Sequence, residues 1–201
     1  MGSYLLRMKR FIFFIFLIFY SYAAIRYHLG KNLVGFKETI FVLNKALAWT
    51  AGTLFMLTLL PQKKLDRFLV QRRQLGTWAY GLALVHIILI ILILNPELYP
   101  KFYSDSKLNF QGWTTIFLGI GSILLFSLPL YASLKKSEEL SHLYRFGRYG
   151  IYLNILHVTS IGASGWFLLA TWPYFMLPIT LIYVTQAFVL IFINKTASRT
   201  K

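Results

Sequence analysis

The sequence contains no cysteine. That single absence removes disulfides, thiolate-held iron–sulfur clusters, CxxCH haem attachment and thiol catalysis together. Acid is almost as scarce, with six Asp+Glu against 21 Lys+Arg. All six (Glu38, Asp66, Glu97, Asp105, Glu138 and Glu139) fall in expected loops or at helix edges. Ion-coupled transporters and proton pumps usually keep a carboxylate near the membrane midplane, so this placement weighs against a transporter. No GxGxxG or P-loop spacing occurs, and the GIG at 119–121 lies inside an apolar run. Internal repeats and low-complexity tracts are missing too. A soluble nucleotide-binding domain has no room here.

What is present is apolar surface. Of 201 residues, 57% are hydrophobic and 13% charged, about half the charged fraction of a soluble domain. Mean hydropathy is +0.60. Continuous apolar runs reach the ~20 residues of helix needed to cross a ~30 Å hydrocarbon core. They do not alternate at period two, which excludes a barrel. The expected fold is all-α: a polytopic six-helix membrane bundle forming one domain. Its helices are expected at about 11–28, 38–60, 74–94, 112–132, 146–170 and 174–193. Pro61, Asn95-Pro96, Pro100 and Trp172-Pro173 punctuate the ends. The loop at 95–111 is the longest connection and has length enough for local structure.

The net charge of +15 is not a nucleic-acid footprint. Lys and Arg sit in short blocks between apolar runs, where they meet anionic lipid and fix orientation. With the N-terminus inside, fifteen of them fall on inner segments (Arg7, Lys9, Arg10; Lys63, Lys64, Arg67, Arg72, Arg73; Lys135, Lys136, Arg145, Arg148; Lys195, Arg199, Lys201). Five fall outside (Arg26, Lys31, Lys37, Lys101, Lys107), and Lys45 lies within the second helix. The bias places both termini in the cytoplasm. The opening "MKRFIFFIFLIFYSYAA" also has the form of a signal peptide. Its retention fits better, because an even helix count keeps every basic loop on one side.

Two histidines stand inside the apolar runs, His86 on the third helix and His157 on the fifth. A lone membrane histidine is usually an interhelical hydrogen-bonding residue. Two at one depth are harder to explain that way. His86 follows Arg73 by 13 residues and His157 follows Arg145 by 12, on helices running in the same direction. At 1.5 Å per residue both rings lie ~18–20 Å from the cytoplasmic boundary. Facing imidazoles at that level form a natural axial pair for haem iron. Gly81, Ala83, Gly150, Gly162 and Gly165 either leave a slot for a porphyrin or serve close helix packing. Lys45 either reaches a haem propionate or snorkels to lipid headgroups. His28 and His142 fall at the interfaces. "GASG" at 162–165 matches the serine motif of rhomboid proteases. The sixth helix offers no histidine base, though, and His157 lies about 10 Å from Ser164 along its helix.

"RRQLGTWAYGLALVH", with Arg72 fourteen residues before His86, resembles the third helix of ferric-reductase-like transmembrane domains. Among these the likeness is greatest to the haem-binding membrane subunits of bacterial periplasmic methionine sulfoxide reductase systems. "LGIGSILLFSLPLYAS" (118–133) is similar to the fourth helix of that family, and "LYRFGRYGIYLNILH" (143–157) to its fifth. The resemblance covers helices 2 to 5. It implies haem b in a bacterial inner membrane, His86 and His157 as axial ligands of its iron, and Lys45, Arg73 and Tyr144 as haem surroundings. FMN is a further cofactor of such systems. Quinol or a flavin reductase would be the electron donor, and a metal or a periplasmic reductase partner the acceptor. Where the family carries another histidine, thirteen residues before the second ligand, this chain has Tyr144. One haem is therefore expected rather than two, with Tyr144 either a ligand or an interfacial aromatic. The alternatives are a haem-free scaffold or assembly factor on the same fold, and a small-molecule permease.

Overall fold

A computed structural model describes residues 2–32, 34–61, 65, 71–135 and 138–199, with side chains described for all of these except 2–5 and 196–199. The expected inner-side residues Lys63, Lys64, Asp66, Arg67, Lys136 and Lys201 lie outside the described residues, and Arg199 is described in its backbone alone.

Six long helices carry the fold: α1 Gly2–Ala24, α2 Phe36–Leu57, α3 Arg72–Ile93, α4 Phe110–Lys135, α5 Phe146–Trp166 and α6 Ile179–Arg199. The architecture is the expected all-α bundle. Five spans are long and apolar enough to cross a membrane: 6–29, 36–57, 72–93, 110–135 and 173–195. The exception is α5. Its 21 residues suffice in length, but Arg148, Asn154, His157, Ser160 and Ser164 dilute its apolar character. The long helix without a qualifying apolar span is thus one that carries a candidate site residue.

Helix ends follow local chemistry. α1 begins well before residue 11, so the basic front is itself helical, and it passes without a break into a π-helical turn at Ile25–Leu29. α5 stops at Trp166, short of the expected 170. Two 3₁₀ turns follow, Leu169–Thr171 and Pro173–Phe175, with Tyr174 and Phe175 at φ 48° and 56°. α6 starts only at Ile179, after Pro178, rather than at 174. Two prolines and two left-handed residues leave no room for an earlier helical turn. The 95–111 loop does carry structure, a two-residue antiparallel ladder pairing Tyr103 with Leu108 and Ser104 with Lys107. Its turn residues Asp105 and Ser106 lie at φ 50° and 63°, the sign a type I′ hairpin requires.

The helices pack as a ring. α2 lies against α3, α3 against α4, α4 against α5, and α5 closes back on α2, with the closest packing within the pairs α2–α3 and α4–α5. α3 and α5 therefore occupy opposite corners. α1 covers α2 from outside, and α6 covers α5 and α2. The interior element is α2, with 67% of its span buried, against 11–22% for the other four apolar spans. Aromatic stacking fixes it on two sides. Phe55 stacks on Phe126 of α4 with centroids 3.7 Å apart, and Trp49 on Phe19 of α1 at 4.0 Å. Gly52 supplies the space for Tyr183 of α6, whose hydroxyl would lie 2.3 Å from a Cβ there and donates to Asn154. The end of α1 is tied to the loop before α6. Tyr22 donates to the Leu177 carbonyl at 2.8 Å, and the buried Arg26 guanidinium donates to that of Met176.

Candidate functional site

α2 is the interior helix, so any polar residue on it must find a partner inside the protein. Asn44 is fully buried, and its Oδ1 accepts from His86 Nδ1 at 2.7 Å. At the opposite corner, His157 Nδ1 lies 2.8 Å from the backbone carbonyl of Thr115 on α4. A carbonyl only accepts, so His157 carries its proton on Nδ1. The same assignment satisfies His86. Both imidazoles, when neutral, leave Nε2 as the lone-pair nitrogen.

The two rings are half-buried. His86, His157 and Lys45 are close enough to influence one another electrostatically. The structure thus brings together three of the five expected site residues. The other two, Arg73 and Tyr144, line a separate cavity that neither histidine borders.

Further bonds hold His157. Thr115 Oγ1 and Ser160 Oγ are 2.8 Å apart, Ser160 Oγ donates back to the His157 carbonyl at 2.7 Å, and Gln111 Nε2 donates to the Ser160 carbonyl at 2.6 Å. The ring lies in a notch cut by Gly119, where a Cβ would come within 3.1 Å of both His157 Cε1 and Nδ1. The glycines left open between a slot and close packing divide. Gly150 receives the Phe126 ring and Gly162 receives Thr180 and Trp166, while Gly81 faces open space. Gly150 and Gly162 serve close packing, and the glycine that shapes a histidine site belongs to the GIG tripeptide.

Lys45 is half-buried, and no acid pairs with it among the described residues. Its ammonium lies over the rings of Phe41 and Tyr99, 4.9 and 4.8 Å from their centroids. Tyr99 comes from the 95–111 loop and is buried. Burial raises the pKa of its hydroxyl above the ordinary tyrosine value, so it stays a neutral donor. Among the described residues, the Asn44 amide nitrogen and the Tyr99 hydroxyl are buried and make no hydrogen bond of full geometry, only a contact with each other. Unsatisfied buried donors cost about 1–3 kcal/mol each, and two on neighbouring groups mark a place where an acceptor is wanted.

The serine of GASG is occupied elsewhere. Ser164 Oγ accepts from Lys101 Nζ at 3.3 Å, and His157 is committed to Thr115. His142 bonds the Glu139 carbonyl at 2.9 Å in an exposed 3₁₀ segment, and His28 lies in the π turn. Among the described residues, no group of three or more His, Cys, Asp or Glu is arranged to hold a metal ion. Sequence reasoning passed over Asn44, Tyr99, Thr115 and Gly119. Asn44 had a signal of its own, a carboxamide in the middle of an apolar helix. Thr115 had none, because it acts through its main chain.

No protein-family model and no curated protein matches this sequence.

Proposed function

We propose that this chain is a membrane electron-transfer subunit that holds one b-type haem between His86 and His157. The observation that carries the reading is the shared hydrogen-bonding state of the two imidazoles. Each is anchored at Nδ1 by a carbonyl oxygen on a neighbouring helix, which orients the ring and leaves Nε2 as the donor for iron. Their helices stand at opposite corners of the ring α2–α5, the disposition that an axial pair requires.

The surrounding residues fit the same group. Lys45, the Asn44 amide and the Tyr99 hydroxyl supply a positive charge and two unused donors, suited to propionate carboxylates. When bound, the haem supplies a reversible one-electron iron couple. The protein's part is to fix two ring orientations, exclude competing ligands by packing, and neutralise the carboxylates. In this reading the subunit sits in a bacterial inner membrane with both termini cytoplasmic. It stands between a quinol or flavin-reductase donor and a periplasmic reductase partner or metal.

A second reading rests on the same bonds. His86–Asn44 joins α3 to α2 and His157–Thr115 joins α5 to α4, so both also act as interhelical staples in a haem-free scaffold. Reduced-minus-oxidised spectra of the detergent-purified protein separate the two. A sharp reduced α band in the wild type, lost in both His86→Ala and His157→Ala, supports the haem. A colourless wild type from cells supplied with haem leaves the scaffold.

A further inference from the structure

Three connections meet at the end of the bundle where α1, α3 and α5 finish. Lys101 of the 95–111 loop reaches Ser164 near the end of α5, and Pro173 packs against Gly30 beside the π-helical turn. Two of the three carry charge, as a water-facing connection should. Arg26 and Lys31 lie between α1 and α2, and Glu97, Lys101, Asp105 and Lys107 between α3 and α4. The third, residues 167–178 between α5 and α6, carries none. From Tyr149 to Asn194 the sequence has no Asp, Glu, Lys or Arg.

Its exposed side chains are apolar instead. Phe167 and Phe175 are each 87% exposed, and Leu169 and Tyr174 stand open with them. Tyr174 and Phe175 take the left-handed backbone that bulky residues rarely adopt. In water such a turn would hold two rings away from any burial. The main chain is answered within the protein. Thr171, Trp172 and Met176 N–H groups donate to the carbonyls of Leu168, Leu169 and Pro173. The Trp172 indole donates to the Gly165 carbonyl at 3.1 Å, and Tyr22 and Arg26 take those of Leu177 and Met176. Irregular backbone at membrane depth needs this arrangement, with its polar groups bonded inside. The apolar span that includes α6 also begins at Pro173, within the segment, so the turn continues a membrane-crossing run.

We propose that segment 167–178 lies in the bilayer, at the boundary between headgroups and acyl chains, and anchors the end of α5 there. Its partner is the lipid surface. Phe167, Leu169 and Phe175 meet the upper acyl chains, and Tyr174 lies at headgroup level, where an aromatic ring with a polar tip is favoured. The anchor answers a need of α5, the one long helix without a qualifying apolar span among the described residues. The inference does not depend on what the paired histidines hold.

The chain has no cysteine, so single cysteines report position without background. Full-length Phe167→Cys and Phe175→Cys are labelled with an environment-sensitive fluorophore and reconstituted in phosphatidylethanolamine/phosphatidylglycerol vesicles. Ser106→Cys, in the exposed hairpin turn, is the water reference, and Phe188→Cys, midway along α6, is the lipid reference. One quencher is iodide on both sides of the membrane, the other a phospholipid with a nitroxide near the top of its acyl chain. Relative to the label at 106, those at 167 and 175 are expected to be quenched about threefold more by the nitroxide and about threefold less by iodide, as for an interfacial segment. Iodide quenching equal to that at 106 would put the segment in water and overturn the proposal. Weak quenching by both agents would show that protein covers the segment, whether a second copy or another chain, and would overturn it too. Should one of the two variants fail to fold, the other decides.

Discussion

The two histidines are held by opposite means. His86 is fixed by a side chain, the buried carboxamide of Asn44, and among the described residues no glycine opens a notch for its ring. His157 is fixed by a main-chain carbonyl and by the shape of a notch, the one left by Gly119. The difference decides which substitutions can reach each ring. The acceptor for His86 can be deleted by one mutation, whereas the acceptor for His157 persists whatever residue stands at 115. The notch is the reverse case, open to attack only at His157.

Four substitutions turn that contrast into measurements, each read as the unfolding midpoint in detergent together with the reduced α band of the proposed haem. Gly119→Val should have the largest effect. Its Cβ enters within 3.1 Å of the ring, and overpacking of that kind costs about 1–3 kcal/mol. His157 should move, and the band should shift or vanish. Asn44→Leu comes next. It leaves the His86 Nδ1–H without an acceptor, at about 1–3 kcal/mol, but it also removes the orphaned amide nitrogen and so recovers part of that loss. Thr115→Ala should be small, about 0.5–1 kcal/mol for the lost hydroxyl contact with Ser160, with the α band unchanged. A Thr115→Ala band as damaged as that of Asn44→Leu would refute the main-chain account. Gly81→Ala should be neutral or stabilising by up to ~1 kcal/mol, since a Cβ there meets nothing within 4 Å and helix propensity improves.

The same contrast explains how much was visible in the sequence. Helix number, most boundaries and the two histidines could be read because each depends on local signals: unbroken apolar runs, proline and rare polar residues. The late start of α6 was missed because Trp172-Pro173 looked like its beginning, while Pro178 and the left-handed Tyr174 and Phe175 delay it. The early start of α1 was missed because Arg7, Lys9 and Arg10 look like a flank, though a helix tolerates them readily. Partners were illegible wherever they act through backbone or empty space. Thr115 contributes a carbonyl that every residue has, and Gly119 contributes only room. Lys45 was open between a haem propionate and lipid headgroups, and the aromatic pair over which it lies, Phe41 and Tyr99, meets only in the folded chain. Arg73 and Tyr144 were placed near the histidines by resemblance, whereas they border a separate cavity.

The bonds from Tyr22 and Arg26 to the carbonyls of Leu177 and Met176 have a consequence for biogenesis. The ribosome completes the opening helix roughly 150 residues of synthesis before its two acceptors exist. Through that interval the Arg26 guanidinium must be hydrated, lipid-bound or chaperoned at the bilayer border. A chain truncated ahead of residue 176 should therefore insert its early spans with α1 still packed on α2 through Phe19 and Trp49, yet leave the end of α1 untied.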